Sequence, residues 1–411
     1  MFAKIMVAAA LALASPAALP STPSTHPSGG YQGLAATPPM GWNDWSYYQC
    51  NIDEKLILDQ GRALVRSGLA AKGYNTVTTD DCWMGKSRDA SGNLVSDPQK
   101  FPHGMAYVGR QLHRMGLKFG IYEDAGTQTC GGYAGSWQHY DADARLFAKW
   151  GVDYLKLDGC NVPSVPGQSA EQTYRQAYAG MSRALRDSGR KIVFSESAPA
   201  YFQGTADWYT VLGWVAKYGN LWREGYDIAL GQQSGAAKWK SLLGNYDYNV
   251  PLGRYAGPGH WNDPDFLLVG DRGLTADEAQ TQMALWAEMA APLISSTDLT
   301  TLSPQALAIL GNRDVIAVDQ DRLGVQATRA AHTDTHDVLT RPLANGDRAV
   351  VFLNRGDSPL TITASASTLG LGPAQHLSGK DLVTRRTSRY GGSVTVRVRP
   401  HATVMLRLRA A

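Results

Sequence analysis

Residues 40–318 alternate between short apolar segments and amphipathic segments, and this alternation constrains the fold more than any other feature of the sequence. The strand-like segments are 40–45, 75–80, 118–122, 154–158, 191–195, 221–224, 260–263 and 293–297. Between them, helical periodicity occurs at 52–67, 107–115, 141–150, 171–187, 236–243, 276–289 and 304–310. Eight strand and helix units over roughly 280 residues predict an α/β fold, a (β/α)8 TIM barrel with its chemistry on the loops that follow the strands.

Acidic residues fall at or just beyond the ends of these predicted strands. They are Asp80, Asp81, Asp124, Asp158, Glu196, Asp227, Asp263, Asp265 and Asp298. So many carboxylates on one rim would repel one another unless they bound a cation or a polyhydroxyl ligand. The sequence has no C-x-x-C unit and no histidine pair with ligand spacing, so we predict a sugar site and no metal.

The segment Tyr154-Leu155-Lys156-Leu157-Asp158 predicts a buried strand that ends in a carboxylate. Residues two apart in a strand share a face, so Lys156 and Asp158 should point the same way. An ammonium group beside Asp158 would favour the ionised acid and keep it nucleophilic near neutral pH. A structural ion pair in the barrel core would give the same pattern, so this segment alone leaves both interpretations open.

After about residue 324 the pattern changes to alternation with a period of two. The segments 349–354, 360–363, 394–398 and 404–408 alternate in this way between Gly, Asp and Ser turns. We therefore predict a catalytic barrel over 36–324 and a C-terminal antiparallel β-sandwich domain over 325–411. The formal net charge is +3, and no basic run is interleaved with aromatic residues, which excludes nucleic acid as the main partner.

Residues 1–19 have the pattern of a secretory signal peptide, with Lys4 before an apolar run and small residues after it. That run is too short to span a bilayer, so no membrane partner is expected. Residues 20–35 are predicted to be a linker rich in Pro, Ser, Thr and Gly. The four cysteines are Cys50, Cys82, Cys130 and Cys160. They fit export to an oxidising compartment, hence a secreted protein, and their spacing allows three pairings.

Seven motifs, in chain order, resemble glycoside hydrolase family 27, the family of lysosomal and microbial α-galactosidases and α-N-acetylgalactosaminidases. They are Met40-Gly41-Trp42, Asp80-Asp81-Cys82-Trp83, Gly120-Ile121-Tyr122, Tyr154-Leu155-Lys156-Leu157-Asp158-Gly159-Cys160, Trp222-Arg223 with Asp227, Gly257-Pro258-Gly259-His260-Trp261-Asn262-Asp263-Pro264-Asp265, and Gln282-Met283-Ala284-Leu285-Trp286. The likeness covers roughly residues 38–326. It implies a cofactor-free enzyme in which Cys50 pairs with Cys82 and Cys130 pairs with Cys160.

The resemblance also implies catalytic roles for two carboxylates. Asp158 would be the nucleophile and Asp227 the general acid/base of a retaining glycosidase, which needs its two carboxyl groups about 5 to 5.5 Å apart. Arg223 would bind sugar hydroxyls. We expect it to point away from Asp227, because a guanidinium group there would lower the pKa of the acid and weaken it.

Further sugar-binding residues follow from the same resemblance. They are Trp45, Asp80, Asp81, Tyr122, Lys156, Ser197, Ala200, Tyr201 and Asp265. Asp80 and Asp81 would grip O4 and O6 and select the galacto over the gluco configuration. Trp45 and Tyr122 would form walls, and Asp265 would be a further subsite carboxylate. Asp263 is interpreted as structural, in a tight turn where an acid bonds backbone amides.

The segment 194–201 departs from the family's α-galactosidases. Those enzymes carry a glutamate two residues before the proline and a leucine one residue after it, where this sequence has Ser197 and Ala200. The family's N-acetylgalactosaminidases have this serine and alanine, because a 2-acetamido group needs volume and a neutral neighbour. A register shifted by one would instead make Glu196 the hydroxyl-binding acid of an α-galactosidase. Many members have cysteine at this position, and the sequence assigns Glu196 no role.

The sequence thus predicts a retaining exo-α-glycosidase that releases terminal α-linked N-acetylgalactosamine, with α-galactosidase as the close alternative. A β-L-arabinopyranosidase ranks third, because replacement of the acid at position 80 would mark that activity and Asp80 is present. A catalytically silent sugar-binding protein ranks last because both predicted catalytic acids are present. The aglycone and any glycan binding by the C-terminal domain stay open, as does the oligomeric state, although family members often form homodimers.

Overall fold

The computed structural model describes residues 33–372 and 376–410, and its first domain is a closed barrel of parallel strands. The strands are β1 Met40–Asn43, β2 Thr76–Thr79, β3 Lys118–Asp124, β4 Tyr154–Asp158, β5 Val193–Glu196, β6 Leu221–Arg223, β7 Trp261–Asp263 and β8 Leu293–Ser295. The first seven strands pair in chain order and β8 pairs with β1. A bridge between Leu267, just after β7, and Ser295 of β8 closes the barrel. The predicted TIM barrel is confirmed. The predicted signal peptide, 1–19, and linker residues 20–32 lie outside the described residues.

Helices follow the strands around the barrel. They are α1 Trp45–Tyr48, α2 Glu54–Arg66, α3 Met105–Arg114, α4 Tyr140–Trp150, α5 Ala170–Asp187, α6 Trp208–Val215, α7 Gly235–Asn249, α8 Ala276–Glu288, α9 Pro304–Leu310 and α10 Arg313–Asp319. Local sequence fixes where α5 and α8 begin, because Ser169 with Gln172 and Thr275 with Glu278 form capping boxes. The predicted helices omit α6, because its segment is apolar on most faces and lacks an amphipathic period.

The second domain is antiparallel. Its strands are β9 Thr328–His332, β10 His336–Pro342, β11 Arg348–Asn354, β12 Leu360–Ser365, β13 Leu377–Asp381, β14 Thr387–Tyr390, β15 Ser393–Val398 and β16 Thr403–Ala410. Six form a sheet in the order β14-β13-β16-β11-β10-β9, and β12 pairs with β15 in a second sheet. The predicted β-sandwich is confirmed. The predicted boundary at residue 324 falls in the segment between α10 and β9.

The two domains share one hydrophobic core. Leu339, Leu353 and Met405 from the second domain belong to the same buried cluster as Trp286 of α8. Between the domains, the guanidinium group of the fully buried Arg341 donates to the carbonyls of Ala287 at 2.5 Å and of Asp319 at 3.3 Å. The second domain is therefore part of the support of the barrel.

The strand register sorts side chains between the two faces of the barrel wall. Tyr122, Lys156 and Ser195 lie in register across β3, β4 and β5, and Asp124 pairs with Asp158 one step further. Because alternate residues face opposite sides, the row of Glu123, Leu157 and Glu196 lies on the other face of the same strands. Within the described ranges, no helix combines the length and the apolar character needed to cross a bilayer.

Candidate active site

All twelve residues predicted to act on the substrate line one cavity of about 480 Å³ at the carboxyl ends of the barrel strands. They are Trp45, Asp80, Asp81, Tyr122, Lys156, Asp158, Ser197, Ala200, Tyr201, Arg223, Asp227 and Asp265. They come from the ends of seven of the strands or from the segments that follow them, as the TIM barrel predicts. The cavity has the size of a small-ligand site.

The predicted nucleophile, Asp158, is held by two donors. The Tyr201 hydroxyl donates to Asp158 Oδ1 at 2.5 Å, and the Gly159 amide donates to the same oxygen at 3.0 Å. A side chain at position 159 would collide with the ring of Tyr174, since a Cβ there would lie 2.9 Å from it. The glycine lets these rings close over the strand end, and Asp158 keeps its second oxygen for a ligand.

Lys156 pairs with Asp80, and this corrects the expected partnership with Asp158. Its ammonium group lies 2.7 Å from Asp80 Oδ2, which also accepts from Asn43 Nδ2 at 2.6 Å. Burial lowers the pKa of Lys156, but Asp80 first and Asp158 next raise it above its ordinary value. Lys156 therefore stays charged and contributes to Asp158 through its field, without a contact.

Asp81 is the second acid after β2, and backbone amides hold it. Its two oxygens accept from the amides of Cys82 at 2.6 Å and of Gly131 at 2.7 Å. Burial raises the pKa of Asp81 despite these bonds. A carboxyl group fixed from behind, with its remaining acceptor sites toward the cavity, is suited to sugar hydroxyls.

Arg223 contacts Asp227, contrary to the expectation that it would point away. Its guanidinium group lies 3.2 Å from Asp227 Oδ1 and 3.0 Å from Asp265 Oδ2. Burial raises the pKa of Asp227, but Arg223 and then Lys156 outweigh it and hold that pKa below its usual range. The Asp227 side chain is 78% exposed at the cavity mouth. Arg223 thus favours the ionised form of Asp227. The sequence could not reveal this, because the contact depends on how the loop after β6 turns.

Asp265 lies deeper than Asp227. Its oxygens accept from the amides of Ile228 at 2.8 Å and Phe266 at 2.9 Å, and its backbone has a φ of 79°. Asp263 Oδ1 accepts from the Asp265 amide at 2.9 Å, as the tight turn predicts. Asp263 does not line the cavity, whereas Asp265 does.

Ser197 and Ala200 line the cavity, and Glu196 does not. Glu196 is fully buried on the other face of β5, and among the described residues neither of its carboxylate oxygens has a hydrogen-bond partner. Burial raises its pKa well above the usual range, so the side chain is neutral. The register that would make Glu196 the hydroxyl-binding acid is therefore wrong.

Both disulfides are those implied by the resemblance, Cys50–Cys82 and Cys130–Cys160. The second lies in the cavity wall, where Cys160 Sγ is 3.1 Å from the Tyr201 hydroxyl and Cys130 Sγ is 3.3 Å from the Tyr122 hydroxyl. Asp124 lies behind it, with its oxygens accepting from the amides of Gly126 at 2.6 Å and Cys160 at 2.8 Å. The sequence placed Asp124 on the rim but gave it no role.

Oxygen and sulfur atoms of Asp124, Cys130, Asp158 and Cys160 lie within 4.8 Å of one another. The two sulfurs are joined in a disulfide and cannot serve as thiolate ligands. The grouping therefore lacks the donor set of a metal site. Six further residues that the sequence did not single out line the cavity, namely Ser46, Gly225, Tyr226, Ile228, Leu230 and Phe266.

Comparisons with known proteins agree with this fold. The family model described as "Alpha galactosidase A" matches residues 37–321, and the one described as "Alpha galactosidase C-terminal beta sandwich domain" matches residues 333–408. Alpha-galactosidase A of Aspergillus niger is 44% identical over 379 residues, which span 91% of this chain and 69% of that protein.

Two further comparisons bear on the substrate and the fold. Alpha-N-acetylgalactosaminidase of Gallus gallus is 42% identical over 398 residues, which span 91% of this chain and 93% of that protein. The crystal structure of alpha-galactosidase I from Mortierella vinacea superposes with a TM-score of 0.84 at 32% identity, covering 92% of this chain and 99% of that one. These relatives do not favour N-acetylgalactosamine over galactose as the substrate.

Proposed function

The chain belongs to glycoside hydrolase family 27, the family of alpha-galactosidase A, and we propose that it is a retaining exo-α-galactosidase. The observation that carries the proposal is one cavity lined by Asp158 and Asp227 together with the hydroxyl-binding acids Asp80 and Asp81. A terminal galactose needs acceptors for O4 and O6 beside a nucleophile and an acid, and this cavity offers all four carboxyl groups.

The proposed reaction has two displacements. In the first, an oxygen of Asp158 forms a bond to the anomeric carbon, the glycosidic bond breaks, and the proton of Asp227 goes to the departing oxygen. In the second, Asp227 takes a proton from water, the water oxygen attacks the anomeric carbon, and the bond to Asp158 breaks. Tyr201 and the Gly159 amide would hold Asp158 in line for both steps.

The acid must carry a proton when the substrate is bound, although Arg223 favours the ionised form of Asp227. A sugar in the cavity would exclude water from Asp227 and offer hydroxyl oxygens to the Arg223 guanidinium group. Both changes weaken the stabilisation of the carboxylate, so the pKa of Asp227 would rise on binding.

Galactose is placed first because relatives with 42–46% identity are named alpha-galactosidase A. N-acetylgalactosamine remains the second candidate for a specific reason, since Ser197 and Ala200 both line the cavity. A hydroxymethyl and a methyl side chain leave more space than a glutamate and a leucine would. A 2-acetamido group fits that space, and so does a 2-hydroxyl.

The test is kcat/KM on the p-nitrophenyl α-glycosides of galactose and of N-acetylgalactosamine, with Asp158→Asn as the inactive control. We expect galactoside hydrolysis to be the faster. A preference for N-acetylgalactosamine by about tenfold, equal to about 1.4 kcal/mol of transition-state binding, would reverse the order of the two candidates. If neither glycoside is cleaved, the protein has neither activity, and β-L-arabinopyranosides are the next substrates to test. Retention is tested by NMR, where a β-anomer as the first product would contradict it.

Secretion is part of the proposal. Two disulfides, one of them in the active-site wall, suit an oxidising compartment. Expression in a secreting host followed by N-terminal sequencing should find the mature chain starting near residue 20. Finding the protein inside the cells with residues 1–19 still attached would contradict this.

A further inference from the structure

Two exposed tyrosine rings pack against each other, and one of them lines the cavity beside Asp227. Tyr226, which lines the cavity, is 59% exposed, and Tyr248 is 41% exposed. Their ring centroids are 6.1 Å apart, with the planes at 81°. We call this pair the tyrosine platform. Large aromatic side chains that remain exposed beside a binding site commonly mark a contact surface for a ligand.

The chain holds Tyr226 in place while leaving its ring free. The Tyr226 amide donates to Gln203 Oε1 at 2.8 Å, and its carbonyl accepts from Arg223 Nη2 at 2.9 Å and from Asn245 Nδ2 at 3.2 Å. Three bonds to side chains from different elements fix the backbone on which the ring stands. The ring is therefore preorganised, which lowers the entropy lost on binding.

Tyr248 is supported from below by Trp208. The two rings meet edge to face with centroids 6.3 Å apart, and Trp208 is itself only 7% exposed. The Trp208 indole donates to the Glu224 carbonyl at 2.8 Å, which ties it to the end of β6. The platform thus rests on the same strand end that carries Arg223 and leads to Asp227.

The position of the platform relative to Asp227 indicates its ligand. The acid/base must reach the glycosidic oxygen, so whatever is bonded to that oxygen extends from the Asp227 side of the cavity. Tyr226 directly precedes Asp227 in the chain. A pyranose ring attached through the scissile bond would meet the Tyr226 ring first, and its C–H face packs well on an aromatic surface while its hydroxyls stay in water.

We propose that Tyr226 and Tyr248 bind the sugar residue to which the terminal galactose is attached. This rests on the proposed galactosidase function and deepens it, since it names the two residues that recognise the sugar on the far side of the scissile bond.

The experiment compares two substrates that share the galactose and differ in the aglycone. Melibiose carries a glucose residue and methyl α-galactoside carries only a methyl group, while both leaving groups are alcohols that need a proton from Asp227. Tyr226→Ala should lower kcat/KM for melibiose by about fivefold or more, mainly through KM, because the lost contact is present before and during the reaction. It should leave kcat/KM for methyl α-galactoside within about twofold. Tyr248→Ala should act in the same direction and more weakly.

Two variants serve as controls. Tyr226→Phe keeps the ring and should keep melibiose hydrolysis. Tyr209→Ala removes a tyrosine that is 52% exposed and whose ring contacts are with Trp208 and Arg254, and it should leave both substrates unchanged. Circular dichroism and Tm measurements establish that each variant is folded.

Each outcome decides the matter. An equal loss on melibiose and methyl α-galactoside would mean that Tyr226 acts on Asp227 and would overturn the proposal, as would no loss on melibiose. Failure of the wild-type enzyme to cleave methyl α-galactoside would overturn the galactosidase function, and the platform's role with it. That last result is distinguishable, because it appears in the wild type before any variant is made.

Discussion

Asp124 and Asp158 lie opposite each other on the paired strands β3 and β4, with a carboxylate oxygen of one within 4.8 Å of the other. Burial first, and the charge of Asp158 next, raise the pKa of Asp124 to about 7. Below that pH Asp124 is protonated and adds no negative charge beside the predicted nucleophile. Asp124 also bonds the Cys160 amide, so it holds the loop that follows Asp158.

Asp124→Asn should change stability in a pH-dependent way. The folded-state pKa of about 7 exceeds the unfolded value of about 3.9, so this group's contribution is fully present below about pH 4 and is lost as pH rises toward 7. The asparagine side chain keeps only one of the two oxygens that accept from backbone amides, and it cannot ionise. Urea unfolding should therefore show the larger deficit of the variant at pH 5 and a smaller one at pH 8. A deficit that does not change with pH would contradict the protonation of Asp124.

Arg223→Gln should move the alkaline limb of kcat/KM to higher pH. With Arg223 present, the pKa of Asp227 lies below its usual range, so its protonated fraction in the free enzyme falls as pH rises through the acidic region. Without the guanidinium group the pKa of Asp227 rises, and the alkaline limb of the pH profile moves to higher pH. The value of kcat/KM falls by about tenfold or more, because charged hydrogen bonds to the sugar are lost. Arg223→Lys keeps a positive charge and is the matched control. A limb that stays in place in the glutamine variant would show that another group sets it.

Tyr201→Phe should lower kcat by about tenfold or more while the protein remains folded, since a hydrogen bond to a charged group contributes about 1.5–3 kcal/mol. The lost bond is the one from the Tyr201 hydroxyl to Asp158 Oδ1. Tyr74→Phe is the control, because it removes the bond from a fully buried hydroxyl to the Leu310 carbonyl, at 2.9 Å and away from the cavity. It should lower Tm and leave kcat unchanged. Full activity of Tyr201→Phe would refute the positioning role.

The double variant Ser197→Glu with Ala200→Leu should narrow the cavity at the 2-position. Any hydrolysis of the N-acetylgalactosaminide should fall by about tenfold or more relative to that of the galactoside, because a bulkier acidic wall rejects the acetamido group. Steady-state kinetics on the two p-nitrophenyl glycosides measure this ratio. An unchanged ratio would place the 2-substituent elsewhere in the cavity.

Leu353→Ala should destabilise the barrel as well as the second domain. Leu353 is fully buried in the cluster that the two domains share, and truncation there costs about 2–5 kcal/mol. We expect one thermal transition, at a lower Tm, with loss of activity at the same temperature. Val394→Ala, in the cluster within the second domain, is the comparison. Activity that survives the unfolding of the second domain would contradict a shared core.

The barrel could be predicted because its signals are local. Each strand is a short apolar run, and each capped amphipathic helix can be recognised within its own segment, so neither needs knowledge of distant residues. Helix α6 was missed because a helix that is apolar on most faces lacks that local signal. The twelve site residues could be predicted from motifs at strand ends, and the barrel topology brings them to one rim.

Partnerships within the site could not be predicted in the same way. The alternation of side chains along β4 correctly puts Lys156 and Asp158 on one face. However, the carboxylate that Lys156 binds, Asp80, follows β2, and β3 lies between β2 and β4 in the sheet. Similarly, the spacing of Arg223 and Asp227 does not fix their distance, because the loop between them folds back through bonds from Arg223 to its carbonyls.

The sequence by itself thus determined the two domains' fold classes, the family, and which side chains reach the active-site rim, because these depend on local periodicity and on short motifs. Only the tertiary structure decided that Lys156 is bound to Asp80 and that Glu196 is buried and neutral. It also decided that the charge of Asp158 raises the pKa of Asp124, and that the rings of Tyr226 and Tyr248 meet beside the cavity. The reason is physical: hydrogen bonds, ion pairs and pKa values depend on distances of a few ångströms between segments far apart in the chain, and these distances exist only once the barrel has closed.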